Sequence, residues 1–364
     1  MSAHEILIAV MAGFALLGAF DRIIGNKLGL GESFEEGILA MGSLALAMVG
    51  TIAIAPVLAA VLRPVIVPVF SFLGADPAMF AGTILASDMG GGSLARELAA
   101  DPGIADLGGV ICGSMLGATI VFTIPVALGI LRQEDRPALA KGILAGIVTV
   151  PVGIFVGGIV GGFPVGAVLR NLLPIILIGA LIAVGLWRWE GAMIKGFSIF
   201  GKGIVALITV GLAAAIVEAL TGFAVIPGMA PIEEGFLTVG AIAIVLAGAF
   251  PLVRVITKAL KKPLLKLGSF LGINDTAAAG LIASLANSIA TFGMVKDMDY
   301  RGKVVNIAFA VSAAFVFGDH LGFTAGFAPE LLTAVILGKL TGGISAVAVA
   351  LWLTKTKKIV DKNG

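Results

Sequence analysis

The sequence predicts an all-α polytopic membrane protein with an inverted repeat, about nine crossing helices and two re-entrant hairpins. Three observations predict this fold: a very apolar composition, a series of long uncharged runs, and an internal duplication. Of the 364 residues, 59% are hydrophobic and only 13% are charged, which leaves more apolar surface than a water-soluble core can hide. The net charge of +2 is too small to predict nucleic-acid binding.

Nine uncharged or nearly uncharged runs approach the roughly 20 residues that a spanning helix needs. They are residues 5–20, 37–62, 107–131, 142–161, 165–187, 203–219, 235–253, 304–327 and 331–353. The first run lacks a basic n-region and a small-residue cleavage site, so we interpret it as a membrane helix rather than a signal peptide. Two further segments, 64–92 and 263–294, each contain a Gly-x-Asp/Asn step near the middle.

The duplication is visible as short motifs that recur 198 residues later. FEEG at 34–37 returns as IEEG at 232–235, and SFLG at 71–74 returns at 269–272. Between Glu35 and Met89, 16 of 55 positions are identical at this offset without a gap. The sequence therefore predicts one transmembrane domain over 1–364, built from a first repeat (34–162), connecting helices (163–231) and a second repeat (232–353).

The distribution of basic residues predicts the topology, because lysine and arginine accumulate in cytoplasmic loops. If segments 64–92 and 263–294 dip in and return, all but four of the 24 basic residues fall on one side. The exceptions are Arg63, Arg96, Arg170 and Lys339. This topology places the N-terminus outside and the C-terminus inside. Five crossings then separate equivalent points, so the two repeats are inverted and their hairpins enter from opposite faces. This arrangement predicts the fold of an inverted-repeat transporter.

The first arm of each hairpin has about ten residues, so at roughly 1.5 Å per residue it reaches about half way through the hydrocarbon. This length predicts that Asp76, Asn274 and Asp275 lie at the hairpin tips. All three are good N-cap residue types. They either cap the helix that follows or contact a ligand.

Polar residues in these apolar segments are the candidate site, because an ionisable side chain there costs roughly 2.5–3.5 kcal/mol and normally faces the bundle interior. Asp88 ends the first hairpin and Asn287 is one position from its equivalent in the second; Asp88 could instead pair with Arg96 in a rim loop. Asp319 and His320 interrupt an apolar run, a pair suited to proton coupling or pH gating. Alternatively, they close a structural kink.

Two hydroxyl residues, Ser284 and Thr119, are weaker candidates, because membrane helices often hydrogen-bond to each other through such side chains. Enzyme signatures are absent: there is no Cys/His metal spacing, no HExxH and no phosphate-binding loop. The sequence therefore predicts a protein that is not an enzyme and has no cofactor. It leaves open whether H⁺ or Na⁺ is a coupling ion.

Several motifs along the chain match a known family. They are FEEG (34–37), MFAGT (79–83), DMGG (88–91), TIVFTIPVALGI (119–130), LAGIVT (144–149), MDYRGKV (298–304), AVSAAF (310–315) and GDHLGF (318–323). In these the chain resembles the bacterial ethanolamine transporter family of the ethanolamine-utilisation operon. The resemblance departs at 162–170 and 221–231, which look short for the family. It implies that the protein imports ethanolamine across the cytoplasmic membrane of a bacterium.

A transport mechanism can be formulated for that substrate. Asp88 or Asp319 would accept a charge-assisted hydrogen bond from the ammonium, and Asn287 or His320 would bind the hydroxyl, while the two hairpins alternate access. One alternative is a channel-like facilitator of neutral ethanolamine. Another is an intramembrane enzyme that uses Asp319 and His320 as acid and base, and a third is a structural subunit. A homodimer is expected only by analogy with other carriers.

Overall fold

The computed structural model describes residues 3–355, and within that range it contains helices and no strands. The predicted cytoplasmic C-terminus lies outside the described residues. The fourteen α-helices are α1 (Ala3–Ile23), α2 (Leu30–Phe72), α3 (Ala78–Ile84), α4 (Gly91–Leu98), α5 (Ile124–Ile130), α6 (Arg136–Val160), α7 (Val165–Arg188), α8 (Glu190–Thr221), α9 (Ile232–Leu271), α10 (Asp275–Ala286), α11 (Ser288–Met294), α12 (Tyr300–Ala313), α13 (Asp319–Phe327) and α14 (Leu332–Leu353).

Two π-helical segments, Leu107–Gly117 and Thr119–Thr123, lead directly into α5. With them, eight helices among the described residues are long and apolar enough to cross a membrane. These eight correspond to eight of the nine predicted crossings, so the chain is an all-α polytopic membrane protein. The ninth, predicted over 304–327, is not continuous, because α12 ends at Ala313 and α13 starts only at Asp319.

The helices before the hairpins are longer than the sequence indicates. α2 runs for 43 residues through Pro56, Pro64 and Pro68, and α9 runs for 40 residues through Pro251 and Pro263. At about 1.5 Å per residue, each exceeds the roughly 30 Å hydrocarbon layer. The prediction that a separate first arm starts at residue 64 or 263 is therefore wrong: both stretches continue the preceding helix.

The chain does fold back in two hairpins, but their boundaries differ from those predicted. In the first, α3 and α4 flank a break in the α-helix that holds a 3₁₀ turn, Ser87–Met89. The Asp76 carboxylate before α3 accepts hydrogen bonds from the backbone N–H groups of Ala100 (3.2 Å) and Asp101 (2.9 Å) after α4. The start and end of this hairpin are therefore adjacent. Its tip is the break, residues 85–90.

The second hairpin, α10 and α11, closes in the same way. The Asn274 N–H donates to Asp299 Oδ1 (2.8 Å), and its side-chain amide donates to the Asp297 carbonyl (3.0 Å). Its tip is therefore the break at Asn287. Asp76, Asn274 and Asp275 lie at the open ends of the hairpins, so their predicted place at the tips is wrong. Asn274 caps α10 by accepting from Ala277 N–H (2.9 Å).

The two halves of the chain present their elements in the same order. In the first half, α2, the α3–α4 hairpin, the π-helical segments with α5, and α6 follow one another; in the second, α9, the α10–α11 hairpin, α12–α13, and α14 do. The most extensive helix pairings join equivalent elements, α6 with α14 and α2 with α9. This order is what the predicted duplication requires. The inverted relation of the repeats and the division into 34–162, 163–231 and 232–353 stay predictions.

Candidate functional site

The candidate site forms where two interruptions of helical structure meet. One is the tip of the first hairpin, which carries Asp88, and the other is the gap between α12 and α13, which carries Asp319 and His320 at its end. Each helix end leaves backbone groups without intrahelical partners. Irregular backbone at membrane depth is stable only where protein or a wet cavity satisfies those groups.

The gap between α12 and α13 is held by the second hairpin. The N–H groups of Phe315 and Phe317 donate to the carbonyls of Ser284 (3.0 Å) and Leu285 (2.9 Å) at the end of α10. Phe315 itself has φ 61°, a left-handed conformation that is uncommon for a bulky residue. Such strained residues concentrate at functional sites. Here the strain turns the chain so that α13 begins with Asp319 and His320.

Asp88 and His320 face each other across the site. The Nε2 atom of His320 lies 3.6 Å from Oδ1 of Asp88, and the two side chains are only 4% and 16% exposed. The Nδ1 atom of His320 is buried without a hydrogen-bond partner among the described residues. A tautomer with the proton on Nε2, assigned from this geometry, directs the N–H toward Asp88 and leaves Nδ1 as a free acceptor.

A third buried ionisable group, Lys339, comes from the middle of α14. Its side chain is 1% exposed, and its ammonium donates to the backbone carbonyl of Ser114 in the first π-helical segment. Gly113, the residue before Ser114, packs against the backbone of Ser87, next to Asp88. A π-helical turn is rare and is found mostly at functional sites. The tip of the first hairpin is therefore close to two nitrogen-bearing side chains.

Two cavities adjoin these residues. An inner cavity of about 30 Å³ is lined by Asp88, Asp319 and His320, with Ala86, Met89, Ala118, Phe122 and Phe315. It has room for no more than about two waters. A larger cavity of about 650 Å³, here named the vestibule, extends from the exposed Arg254 and Lys258 to Asn287 and Asp319.

Asp319 is the one residue that lines both cavities. Unlike Asp88, its carboxylate has no hydrogen-bond or ion-pair partner among the described residues. A carboxylate without a partner at this depth is costly. Asp319 is therefore suited to binding a cation that arrives from the vestibule.

Of the predicted site residues, Asp88, Asp319 and His320 come together in the inner cavity, and Asn287 lines the vestibule. Asp319 and His320 do not pair with each other, because His320 faces Asp88 instead. Asp88 does not pair with Arg96, whose guanidinium binds Asp106 at 2.9 Å.

Ser284 and Thr119 do not line either cavity. The Ser284 hydroxyl is hydrogen-bonded to that of Thr291 (2.9 Å), and Thr119 donates to the carbonyls of Met115 (2.7 Å) and Val311 (3.0 Å). Both hydroxyls therefore connect segments of the fold. Within residues 3–355, no group of three or more His, Cys, Asp or Glu side chains is arranged to hold a metal ion.

Sequence reasoning missed Lys339 as a site residue. It is the only charged residue in the 22-residue α14. Burying the charge of Lys339 in a membrane helix carries the same cost that identifies Asp319 as a candidate site residue. The signal is therefore present in the sequence, where Lys339 stands out only as an exception among the basic residues because it lies within a helix.

The comparisons with known proteins all point to the same family. A family model described as "Ethanolamine utilisation protein, EutH" matches residues 3–353. A Listeria monocytogenes protein named probable ethanolamine permease EutH is 59% identical over 363 residues, which cover 100% of this chain and 97% of the relative. Proteins of the same name from Salmonella typhimurium and Escherichia coli are 48% and 49% identical over 391 residues, each covering 97% of this chain and 96% of the relative.

The alignments with the Salmonella and Escherichia proteins are longer than the 364 residues of this chain. These two relatives therefore contain insertions, whereas the Listeria protein aligns at nearly equal length. The predicted location of the short loops, 162–170 and 221–231, stays a prediction. No solved structure matches the chain. From the whole-length family match and these identities, the chain belongs to the EutH family of ethanolamine utilisation proteins.

Proposed function

We propose that this protein is a secondary transporter that imports ethanolamine across the cytoplasmic membrane of a bacterium by alternating access. The observation that carries the proposal is Asp319, a carboxylate without a partner among the described residues that lines both the vestibule and the inner cavity. The relatives named probable ethanolamine permease support the choice of substrate. Their names also favour a carrier over an intramembrane enzyme.

Protonated ethanolamine has an ammonium group and a hydroxyl group, and the site offers a matching partner for each. Asp319 accepts a charge-assisted hydrogen bond from the ammonium, which is about twice as strong as a neutral one. The partnerless Nδ1 of His320 accepts from the hydroxyl. Because the inner cavity of about 30 Å³ is too small for the substrate, the α13 region must move away from the first hairpin when the substrate enters.

The two sides of the site differ in access. The vestibule leads from Asp319 to Arg254 and Lys258, which the basic-residue distribution assigns to the cytoplasm. On the other side, Arg96 of α4 holds α13 by a hydrogen bond to the Phe327 carbonyl (3.2 Å) and by its guanidinium, 3.7 Å from the Phe327 ring centre. We therefore assign this conformation to the inward-open state of the cycle.

The test is uptake of radiolabelled ethanolamine into proteoliposomes. Wild-type protein is expected to show saturable uptake, and Asp319→Asn is expected to reduce it at least about a hundredfold, since a buried charge-assisted contact contributes roughly 3 kcal/mol. Glu330→Gln, a substitution at an exposed position near α13, is the matched control and is expected to transport normally. Full transport by both Asp319→Asn and Asp88→Asn would refute the site.

Imposed gradients separate a carrier from a channel-like facilitator. An H⁺-coupled or Na⁺-coupled carrier accumulates ethanolamine above the outside concentration when the relevant gradient is imposed, and an uncoupler abolishes accumulation driven by protons. A facilitator only equilibrates the two sides. Recovery of unmodified ethanolamine from the vesicles tests the alternative that the protein is an enzyme.

The sequence-based expectation of a homodimer stays a prediction.

A further inference from the structure

Lys339 is the buried group that the proposed binding of one ammonium and one hydroxyl does not use. It lies in the middle of α14, lines neither the vestibule nor the inner cavity, and its hydrogen-bond acceptor is the neutral carbonyl of Ser114. A buried ammonium with only a neutral acceptor needs a nearby negative charge to be stable. The stability of the Lys339 ammonium therefore depends on the charges of the residues around it.

The backbone that receives Lys339 touches the tip of the first hairpin. Gly113 precedes Ser114, and a Cβ built on Gly113 would lie 3.1 Å from the backbone nitrogen of Ser87. Asp88 is the next residue, so this contact joins a segment one residue from the carbonyl that binds the Lys339 ammonium to a segment one residue from the Asp88 carboxylate. Lys339 thus approaches Asp88 through the π-helical segment, outside the inner cavity.

Few charged side chains lie in the described elements packed against α14. α1 and the turn Pro329–Leu331 contribute Asp21, whose carboxylate accepts from the N–H groups of Leu28, Leu30 and Gly31, and the exposed Glu330. Over 142–160, α6 has no ionisable residue, and neither has α12 over 304–313. The first π-helical segment contributes only the buried thiol of Cys112. From α13 come His320, which faces Asp88, and Asp319, which has no partner among the described residues. Of the two carboxylates in the site, Asp88 therefore has a resident cation and Asp319 has none.

We propose that Lys339 determines specificity by supplying the ammonium group that Asp88 requires, so that the site accepts substrates with a single positive charge. This inference rests on the proposed function and extends it to the class of amine transported. An amino alcohol places its ammonium at Asp319 and its uncharged hydroxyl toward His320. A diamine of similar length brings a second ammonium into a site where Asp88 is already neutralised, and it is rejected.

The substitution that tests this inference is Lys339→Met, because methionine is flexible, apolar and fills irregular space. It removes the resident cation and leaves Asp88 in need of another. The probe is 1,3-diaminopropane, which carries two positive charges at neutral pH, used as an inhibitor of ethanolamine uptake. We expect weak inhibition of the wild type. For Lys339→Met we expect inhibition at least about tenfold more potent, the effect of roughly one buried charge pair.

Two further variants control for charge and for folding. Lys339→Arg keeps a permanent cation and is expected to continue rejecting the diamine. Lys339→Gln removes the charge but keeps an N–H donor for the Ser114 carbonyl, and it is expected to show the same stronger inhibition by the diamine if Lys339→Met fails to insert.

The outcomes separate the inference from the proposed function. Absence of saturable ethanolamine uptake by the wild type would overturn the proposed function and this inference with it. The inference alone would be overturned if the wild type shows saturable uptake and Lys339→Met is inserted and active but still rejects the diamine. An inserted, active Lys339→Gln protein that still rejects the diamine would overturn it as well, because this variant also lacks the cation at residue 339.

Discussion

The helical segments that face the two hairpins occupy equivalent places in the two halves but differ in continuity. In the first half, residues 107–130 are helical almost throughout, mostly π-helical, and in the second half the chain breaks between α12 and α13. Gly117 and Phe315 are equivalent at the 198-residue offset. A Cβ at Gly117 would collide with the Leu85 carbonyl, whereas Phe315 donates to the Ser284 carbonyl.

The difference shows how one duplicated unit acquires a site. Glycine lets the first hairpin pack directly on a continuous helix, so this half supplies a rigid support. A bulky residue at the equivalent place in the second half forces the chain to turn, which frees α13 to present Asp319 and His320. Equivalent positions in the first half hold Val121 and Phe122, which are apolar.

The two hairpin tips also differ, and substitutions there are expected to have the largest effect. Asp88→Ala removes the carboxylate that the buried Nε2 of His320 faces at 3.6 Å, and a buried donor left without its acceptor costs up to about 3 kcal/mol. Asn287→Ala removes the bond that its side chain accepts from Ile289 N–H (2.7 Å), an N-cap worth about 1 kcal/mol. Thermal unfolding in detergent is expected to rank Asp88→Ala as clearly less stable. Equal losses would mean that the two tips are energetically alike.

An intermediate effect is expected from the equivalent glycines Gly82 and Gly280. A Cβ at Gly82 meets the backbone carbonyl of Gly108, which cannot move without distorting the π-helical segment. A Cβ at Gly280 meets the side-chain ends of Asn306 and Met298, which can shift. Overpacking costs typically about 1–3 kcal/mol, so Gly82→Ala should lower the unfolding temperature more than Gly280→Ala. The reverse order would contradict the rigid-support role of the first half.

The smallest expected effect concerns the contact that holds α13 to the first hairpin. Arg96 is 44% exposed and binds Asp106 and Phe327, so the contact contributes only about 1 kcal/mol. Arg96→Ala should therefore reduce the inward-open population about fivefold at most. The measurement is the labelling rate of a cysteine introduced at Ala283 in the vestibule, since native Cys112 is buried.

Arg132→Ala, which removes an exposed ion pair with Glu134, is the control for that experiment and is expected to leave the labelling rate unchanged. Faster labelling in Arg96→Ala than in the wild type would contradict the assignment of Arg96 to the closed side.

Much of this arrangement follows from the sequence, because burial of charge and repetition of motifs are local properties. The cost of polar groups in lipid identifies Asp88, Asp319 and His320, and the shared motifs identify the duplication. The pairing of His320 with Asp88 could not be predicted, since it depends on tertiary contacts between distant segments. Proline at residues 64 and 263 suggested helix boundaries, yet long helices continue through both positions, as neighbouring helices can satisfy the freed backbone groups.

A direct distance measurement tests whether Asp319 binds the substrate ammonium. Solid-state NMR of the reconstituted protein, with ¹³C-labelled aspartate carboxylates and ¹⁵N-ethanolamine, should detect a nitrogen–carbon distance of about 3.5 Å, as a charge-assisted hydrogen bond requires. The account predicts that this coupling disappears in Asp319→Asn and persists in the Glu330→Gln control. A coupling that persists in Asp319→Asn would contradict it.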